Sequence, residues 1–374
     1  MRILLVGNYV PDGSQSMQRY ASWLERALTA RGHQVTLVRP PVFFSRLARG
    51  RAIIKYTGYL DKFLFFPLRL RRLAPHYQLV HVLDHSNSMY LAPVRKRPNL
   101  ITCHDLIAIR SARGEFPEAV TGWSGRVLQR WILSELRRAA HVICISSKTA
   151  SDLKSITGGT GAGVRVIPHT LTWSYRPSGA DSGSLLARFG LRRGDLYLLH
   201  VGNNSWYKNR AGALRIFARL TATAEYSRFR LVLAGAPWTP AMRSIVREEK
   251  LAEKIVEANN ISNGELQALY TNAHALLFPS IEEGFGWPIL EAQACGCPVI
   301  TTGRPPMSEV AGEAAVFIDP SDPEQSAAAI LAGLKDRESL RAAGFANLRR
   351  FEEKSVVDRY CEFYEEIVHE EQGG

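Results

Sequence analysis

Short apolar runs alternate with helix-length amphipathic stretches along nearly all of this chain, and that alternation restricts the fold more than any other feature. Runs at residues 3–6, 35–38, 79–83, 100–103, 142–145 and 164–167 are rich in Val, Ile and Leu and nearly continuous, the pattern of strands buried on both faces. An amphipathic helix is predicted over 16–30, closed by Gly32. The second half repeats the plan, with strands expected at 197–201, 230–233, 255–257, 275–278, 298–301 and 316–318, and helices at 210–220, 263–271 and 288–294. Strand–helix–strand order predicts parallel sheets with right-handed crossovers. The expected class is α/β: two Rossmann-like, doubly wound domains facing across a cleft, with ligands at the carboxyl ends of the strands.

A length of 374 residues suits two such domains better than one core. The Ser-, Gly- and Pro-bearing stretch 173–195 is the expected boundary, which gives a first domain at 1–176 and a second at 190–350. A long acidic amphipathic stretch at about 354–371 is a candidate to pack back on the first domain. Residues 1–176 carry 26 Lys+Arg against 9 Asp+Glu, and residues 177–374 carry 21 against 26. The first half is therefore the one expected to meet something anionic. No run of about 18 apolar residues suggests a bilayer-spanning helix. Residues 1–7 read as a buried strand rather than a signal peptide, because the apolar run is short and lacks a small-residue cleavage site. The five cysteines form no C-x-x-C pair and read as reduced thiols of a cytoplasmic protein. No D-x-D pair occurs, which removes one common way of holding a metal on a sugar diphosphate; no metal and no cofactor are expected.

Three glycine-bearing segments compete as phosphate sites. Gly7 to Ser14, with Gly13, follows the first strand and precedes a helix, so it can offer backbone N–H groups at a helix N-terminus; a plain turn is the equal alternative. Gly158 to Gly163 follows a helix and precedes a strand, the wrong order for a phosphate cradle, and reads as a surface loop. Gly284-Phe285-Gly286-Trp287-Pro288 follows a strand and opens a helix at a favoured proline position. There the N–H groups of Phe285, Gly286 and Trp287 are candidates to meet phosphate and sugar. Two carboxylates flank this turn. Glu283 reads either as a sugar ligand or as half of an exposed Glu282-Glu283 pair. Glu291, taken as lying in the first helical turn, reads either as a sugar ligand or as a helix-dipole acid.

The segment Glu283 to Glu291, a Glu-x7-Glu pattern around Gly-Phe-Gly-x-Pro, resembles the donor-site motif of retaining glycosyltransferases of family 4, which have the GT-B fold. The resemblance runs over nearly the whole chain, through Gly32-His33-Gln34-Val35, Cys103-His104-Asp105-Leu106, residues 263–270, Gly296-Cys297-Pro298-Val299, Glu309-Val310-Ala311-Gly312 and Phe317-Ile318-Asp319-Pro320. It implies a hexosyltransferase that takes a nucleotide-sugar donor and a carbohydrate or lipid-linked hydroxyl acceptor in cell-surface polysaccharide or glycolipid synthesis. By resemblance, Glu291 holds the donor ribose, Glu283 holds sugar hydroxyls and the positive charge that develops on the sugar, and His104 lies near sugar and phosphate. Lys208, in Gly202-Asn203-Asn204-Ser205-Trp206-Tyr207-Lys208-Asn209, neutralises the diphosphate. The chain departs from the family at Asn203 and Tyr207, where an arginine is common at one position or the other, and Arg210 is the candidate to compensate.

Residues 39–72 hold nine Lys/Arg and one acid, Asp61, interleaved with Phe43, Phe44, Tyr56, Tyr59, Phe63, Phe65 and Phe66. That composition suits peripheral docking on an anionic membrane surface, with a solvated basic face over an ordinary core helix as the equal alternative. Nothing resembles a nucleic-acid module, so no nucleic-acid partner is expected. The rival functions are a sugar-nucleotide epimerase or phosphorylase of the same architecture, and a non-catalytic sugar-nucleotide-binding protein.

Overall fold

The computed structural model describes residues 1–47, 57–159, 163–179 and 182–372. The chain forms two compact units, Met1–Thr172 together with Glu353–Gly374, and Trp173–Glu352.

The first unit is built on a six-stranded parallel sheet: β1 (Arg2–Val6), β2 (Gln34–Val38), β3 (Leu79–Val82), β4 (Asn99–Cys103), β5 (His141–Cys144) and β6 (Gly163–Val166), in the order β2-β1-β3-β4-β5-β6. Each strand lies within a residue or two of its expected span. Both faces of the sheet are covered, so the central strands are mostly apolar, with His81 and Thr102 among the exceptions; Ile3, Leu4, Leu5 and Val6 have no exposed surface. The Gln15–Ala30 helix buries Tyr20, Trp23, Leu24, Ala27 and Leu28, a single stripe at helical spacing, and Gly32 ends it at φ +82°. The glycine loop at 158–163 has Gly158 closing the Ser147–Thr157 helix and Gly163 opening β6; residues 160–162 lie outside the described residues.

The Glu353–Gln372 helix is part of this unit. Val356, Val357, Tyr360, Phe363, Tyr364, Ile367 and Val368 form its buried stripe. Tyr360 shares a 2.9 Å hydrogen bond with Tyr20, and Tyr364 one of 2.6 Å with His81 Nδ1. His81 Nε2 meets Thr102 Oγ1 at 2.7 Å, which closes a buried polar chain. Leaving any one of these buried groups unpaired costs about 1–3 kcal/mol, so the chain fixes the helix in register as well as in place. Arg31–Asp358 and Arg165–Glu366 pair basic residues of the sheet side with acids of this helix. Counted by unit, the net charge is +11 for the first and +1 for the second, because the helix brings 7 acids and 2 bases to the first.

The second unit repeats the architecture: β7 (Tyr197–Gly202), β8 (Arg230–Gly235), β9 (Ile255–Asn259), β10 (Ala275–Phe278), β11 (Val299–Thr302) and β12 (Val316–Ile318), all parallel, in the order β12-β11-β10-β7-β8-β9. This is the dinucleotide-fold order, and its strand sequence reverses between β7 and β10. In the first unit the reversal falls between β1 and β3. Connections on the two sides of such a point diverge and leave a crevice at the strand ends.

Candidate functional site

In the second unit the loops after β7 and β10 meet at the reversal point. Ile281 N donates to the Tyr207 carbonyl at 2.7 Å, and Asn209 Nδ2 donates to the Pro279 carbonyl at 3.1 Å. Asn209 itself sits at φ +49° and caps the Arg210–Thr221 helix through Oδ1 to Gly212 N. Lys208 and Glu283 complete the junction. The lysine Nζ lies 2.7 Å from Oε1 and 2.9 Å from Oε2 of the glutamate, and 5.3 Å above the Phe278 ring. Glu283 is 9% exposed, so it is not half of an exposed acidic pair. The two residues expected on separate parts of a donor are thus each other's partner in this structure.

The glycine turn follows. Gly286 is the N-cap of the Trp287–Ala294 helix at φ +107°, and no side chain caps that end. The helix begins at Trp287, one residue before the expected Pro288, which occupies the second position. A Cβ at Gly286 would lie 3.3 Å from Ile289 Cδ1 in a backbone conformation L-residues rarely adopt. Phe285 is buried against Trp287 and Phe351, with ring centroids 6.2 and 5.8 Å away, which anchors the turn. Glu291 falls in the second helical turn, not the first, so the dipole explanation for it loses its ground. Its Oε2 accepts from Tyr270 OH at 2.9 Å, and burial keeps that phenol well above its usual pKa and protonated. Asn203 Oδ1 accepts from Ser205 N and shapes the β7 loop. Tyr207 contributes its carbonyl as described, and Arg210 turns into the protein interior, 4% exposed.

In the first unit the loops at the reversal point are joined differently. Asn8 Nδ2 donates to Asp84 Oδ2 at 2.6 Å, and Asp84 Oδ1 accepts from Ser86 N at 2.8 Å. Burial by itself raises the Asp84 pKa, but His85, His104, Asn8 and the Ser86 amide together hold it below its ordinary value. Gly13 ends the short Val10–Asp12 turn at φ +72° just before the Gln15–Ala30 helix. His104 follows β4 and is 4% exposed. Its Nε2 donates to the Leu83 carbonyl at 2.7 Å, which leaves Nδ1 to accept from His169 Nε2 at 3.1 Å. The rings stack at 5.1 Å. Burial lowers both histidine pKa values, and for His104 the nearby Asp84 carboxylate opposes it in part. Sequence reasoning missed Asn8, Asp84 and His169. Each stands just past the end of a strand, and that position was the available signal.

Two family models match the chain. One described as Glycosyltransferase Family 4 matches residues 17–171, and one described as Glycosyl transferases group 1 matches residues 184–347. The chain belongs to glycosyltransferase family 4. Among the relatives of this family 4 chain, O-antigen chain mannosyltransferase B of Escherichia coli is 32% identical over 160 residues, 41% of this chain and 42% of the relative. O-antigen chain mannosyltransferase RfbU of Salmonella typhimurium is 34% identical over 100 residues, 27% of this chain and 28% of the relative. The matches thus span less than half the length of these two relatives. The D-inositol 3-phosphate glycosyltransferase of Acidothermus cellulolyticus is 27% identical over 290 residues, 73% of this chain and 63% of the relative. The fold is also that of sucrose-phosphate synthase from Thermosynechococcus elongatus, with a TM-score of 0.74 at 20% identity over 98% of this chain and 99% of that one. Anabaena HepE, solved in complex with UDP and glucose, gives 0.71 at 15% identity over 97% and 99%. This family 4 chain therefore has the GT-B fold of two Rossmann-like domains.

Proposed function

We propose that this protein transfers a hexosyl group from a nucleoside-diphosphate sugar to a hydroxyl of a carbohydrate or lipid-linked acceptor, in the synthesis of a cell-surface polysaccharide or glycolipid. The observation that carries the reading is the Lys208–Glu283 pair at the reversal point, beside the Gly286 helix end. The names of the mannosyltransferase relatives support the polysaccharide assignment.

In this reading the bond from the anomeric carbon to the phosphate oxygen breaks as the acceptor oxygen bonds to the same carbon. The acceptor proton passes to the departing phosphate, and attack comes from the leaving-group face, with retention of configuration. Lys208 turns from Glu283 to the diphosphate, aided by the helix end at Gly286 and the backbone of Phe285 and Trp287. Glu283, released, accepts from sugar hydroxyls and faces the oxocarbenium-like carbon. Glu291, steadied by Tyr270, takes ribose hydroxyls. Asn203 and Gly13 are assigned to donor binding, and His104 to the sugar and phosphate on the resemblance alone. The cationic and helix-end groups carry the leaving charge in this scheme, without a metal. The test is to incubate the purified protein and acceptor glycans with a panel of nucleotide sugars and follow nucleoside diphosphate release. Release with retained anomeric configuration by NMR is expected. An inverted product overturns the retaining step, and epimerised donor without transfer overturns the reaction class.

The same reading puts the first unit on an anionic lipid surface. Asp61, the one acid of residues 39–72, is buried and accepts from Tyr9 OH and Phe44 N, so it is not part of the exposed face. Phe43, Leu64, Phe65 and Leu68 are exposed beside them. Trp131 of the Trp123–Leu136 helix packs on Phe63 at 5.3 Å, and that helix adds exposed Trp123 (81%), Arg126 and Arg130. Aromatic rings among arginines suit the headgroup boundary of anionic lipid. Tyr56 and the rest of 48–56 lie outside the described residues. No described helix is long and apolar enough to cross a membrane. Cosedimentation with phosphatidylglycerol vesicles at low salt, weakened in Trp123→Ala/Arg126→Gln, is expected; equal binding to neutral vesicles overturns the electrostatic part.

A further inference from the structure

Arg210 is a buried cation without an anion. It opens the Arg210–Thr221 helix, is 4% exposed, and makes no ion pair among the described residues. Its Nη1 donates to Asn204 Oδ1 at 2.5 Å and to the Ala236 carbonyl at 2.7 Å. Nε and Nη2 are buried and meet no acceptor. Asn204 in turn donates to the Pro237 carbonyl at 2.8 Å, so the guanidinium ties the loop after β7 to the loop after β8. Gly235 ends β8 so close to β7 that a Cβ there would stand 2.2 Å from the Gly202 carbonyl oxygen, which leaves the two strand ends tightly apposed. Burial lowers the Arg210 pKa, and Glu257 opposes that only in part. A guanidinium stays charged nonetheless.

Buried charges are ordinarily paired. The neighbouring cation of this loop, Lys208, already has Glu283. Burial, with smaller contributions from Arg210 and Lys208, brings the pKa of His200 down to about 3, so that imidazole is neutral and offers no compensation. The strand ends of β7 and β8 therefore hold a positive charge that makes no ion pair among the described residues and that Glu257 offsets only in part.

We infer that Arg210 is a positioning residue for a diphosphate. Its charge lies beneath the loops of β7 and β8 and favours a dianionic group seated on them, while its Nη1 bonds hold those loops in the receiving shape. The inference rests on the proposed function for the ligand class, and it adds a prediction that function does not make: selectivity for the second phosphate should depend on a residue that the ligand does not touch.

The test is calorimetric titration of the full chain with UDP, GDP, UMP and GMP, for wild type, Arg210→Gln and Arg210→Lys. Wild type is expected to prefer the diphosphate of one base. Arg210→Gln should weaken that diphosphate by roughly 10-fold and the monophosphate by no more than about 2-fold. Arg210→Lys, which keeps the charge and loses the fork, should retain diphosphate preference within about 3-fold of wild type. Equal losses for diphosphate and monophosphate in either variant would reduce Arg210 to a structural clip and overturn the inference. If Arg210→Gln does not fold, Arg210→Lys decides alone, by keeping or losing the preference. Wild type that binds none of the four, nor ADP, CDP or dTDP, overturns the proposed function, and the inference with it.

Discussion

The first sheet reverses its strand order between β1 and β3, the second between β7 and β10, and the two reversals are closed by different chemistry. Asn8 and Asp84 join the first through one hydrogen bond, and the carboxylate's other oxygen is spent on a backbone N–H. Lys208 and Glu283 join the second as a two-pronged ion pair. An amide–carboxylate strut gives a ligand little to exchange. An ion pair gives it two complementary handles, because an anion can take the cation while hydroxyls take the carboxylate. The same topology thus yields a fixed joint in one unit and an exchangeable one in the other.

The largest effect tests what the units share. Both hold histidines whose pKa burial lowers: His81, brought down to about 3, with His104 and His169 in the first; His200, at about 3, and the half-buried His274, at about 4, in the second. In each case burial is the first cause. The unfolded chain protonates these rings below about pH 6.5, the folded chain only far lower, so the unfolded state binds more protons in between. Stability is full above pH 6.5 and is lost as pH falls toward 3. Urea midpoints measured from pH 7.5 to 4 should decline throughout the acid half of that range; a flat profile down to pH 4 would mean the rings open to solvent without unfolding.

The next test separates the joints. Lys208→Ala should slow sugar transfer by roughly 10²–10³-fold, the scale of a lost oxyanion-type donor, read as nucleoside diphosphate release. Asn8→Ala should act on stability instead, costing about 1.5–3 kcal/mol for a hydrogen bond to a charged group, read as a lower Tm. If Asn8→Ala stops turnover at unchanged Tm, the first reversal is a ligand site too and the contrast fails.

Gly286→Ala probes the turn beside the exchangeable joint. A side chain at φ +107° costs about 1–2 kcal/mol, and the 3.3 Å approach to Ile289 adds to it. The expected result is a donor KM raised by roughly 10-fold with a modest fall in Tm. Unchanged KM would show that the turn relaxes freely and does not set donor geometry.

The sheets were legible because strands buried on both faces are nearly continuous in Val, Ile and Leu, and an amphipathic stripe closed by Gly32 marks the first helix; helices such as Trp123–Leu136 and Pro240–Glu248, which end without a glycine, were not marked. The turn at 284–288 was legible for the same local reason. What joins the site was not. Lys208 and Glu283 are 75 residues apart, Asn8 and Asp84 are 76 apart, and Tyr20 and Tyr360 are 340 apart. Strand order brings the first two pairs together and the packing of two helices the third, and the alternation of runs is compatible with several orders. The inward turn of Arg210 was equally hidden, because a charged residue at the start of a helix ordinarily faces water.

Tyr270 and Glu291 supply the smallest and most discriminating test. The phenol donates to a carboxylate that is itself assigned to the ribose, so it steadies a ligand-binding group without meeting the sugar that reacts. Tyr270→Phe removes one hydrogen bond, worth about 1 kcal/mol net, and leaves Lys208, Glu283 and the Gly286 helix end in place. Donor KM should rise by roughly 5-fold while kcat stays within about 2-fold, since an interaction made equally in ground and transition states lowers affinity alone. A matching fall in kcat would place Glu291 in the transition-state machinery and extend the exchangeable chemistry of the second unit from the loop into its helix.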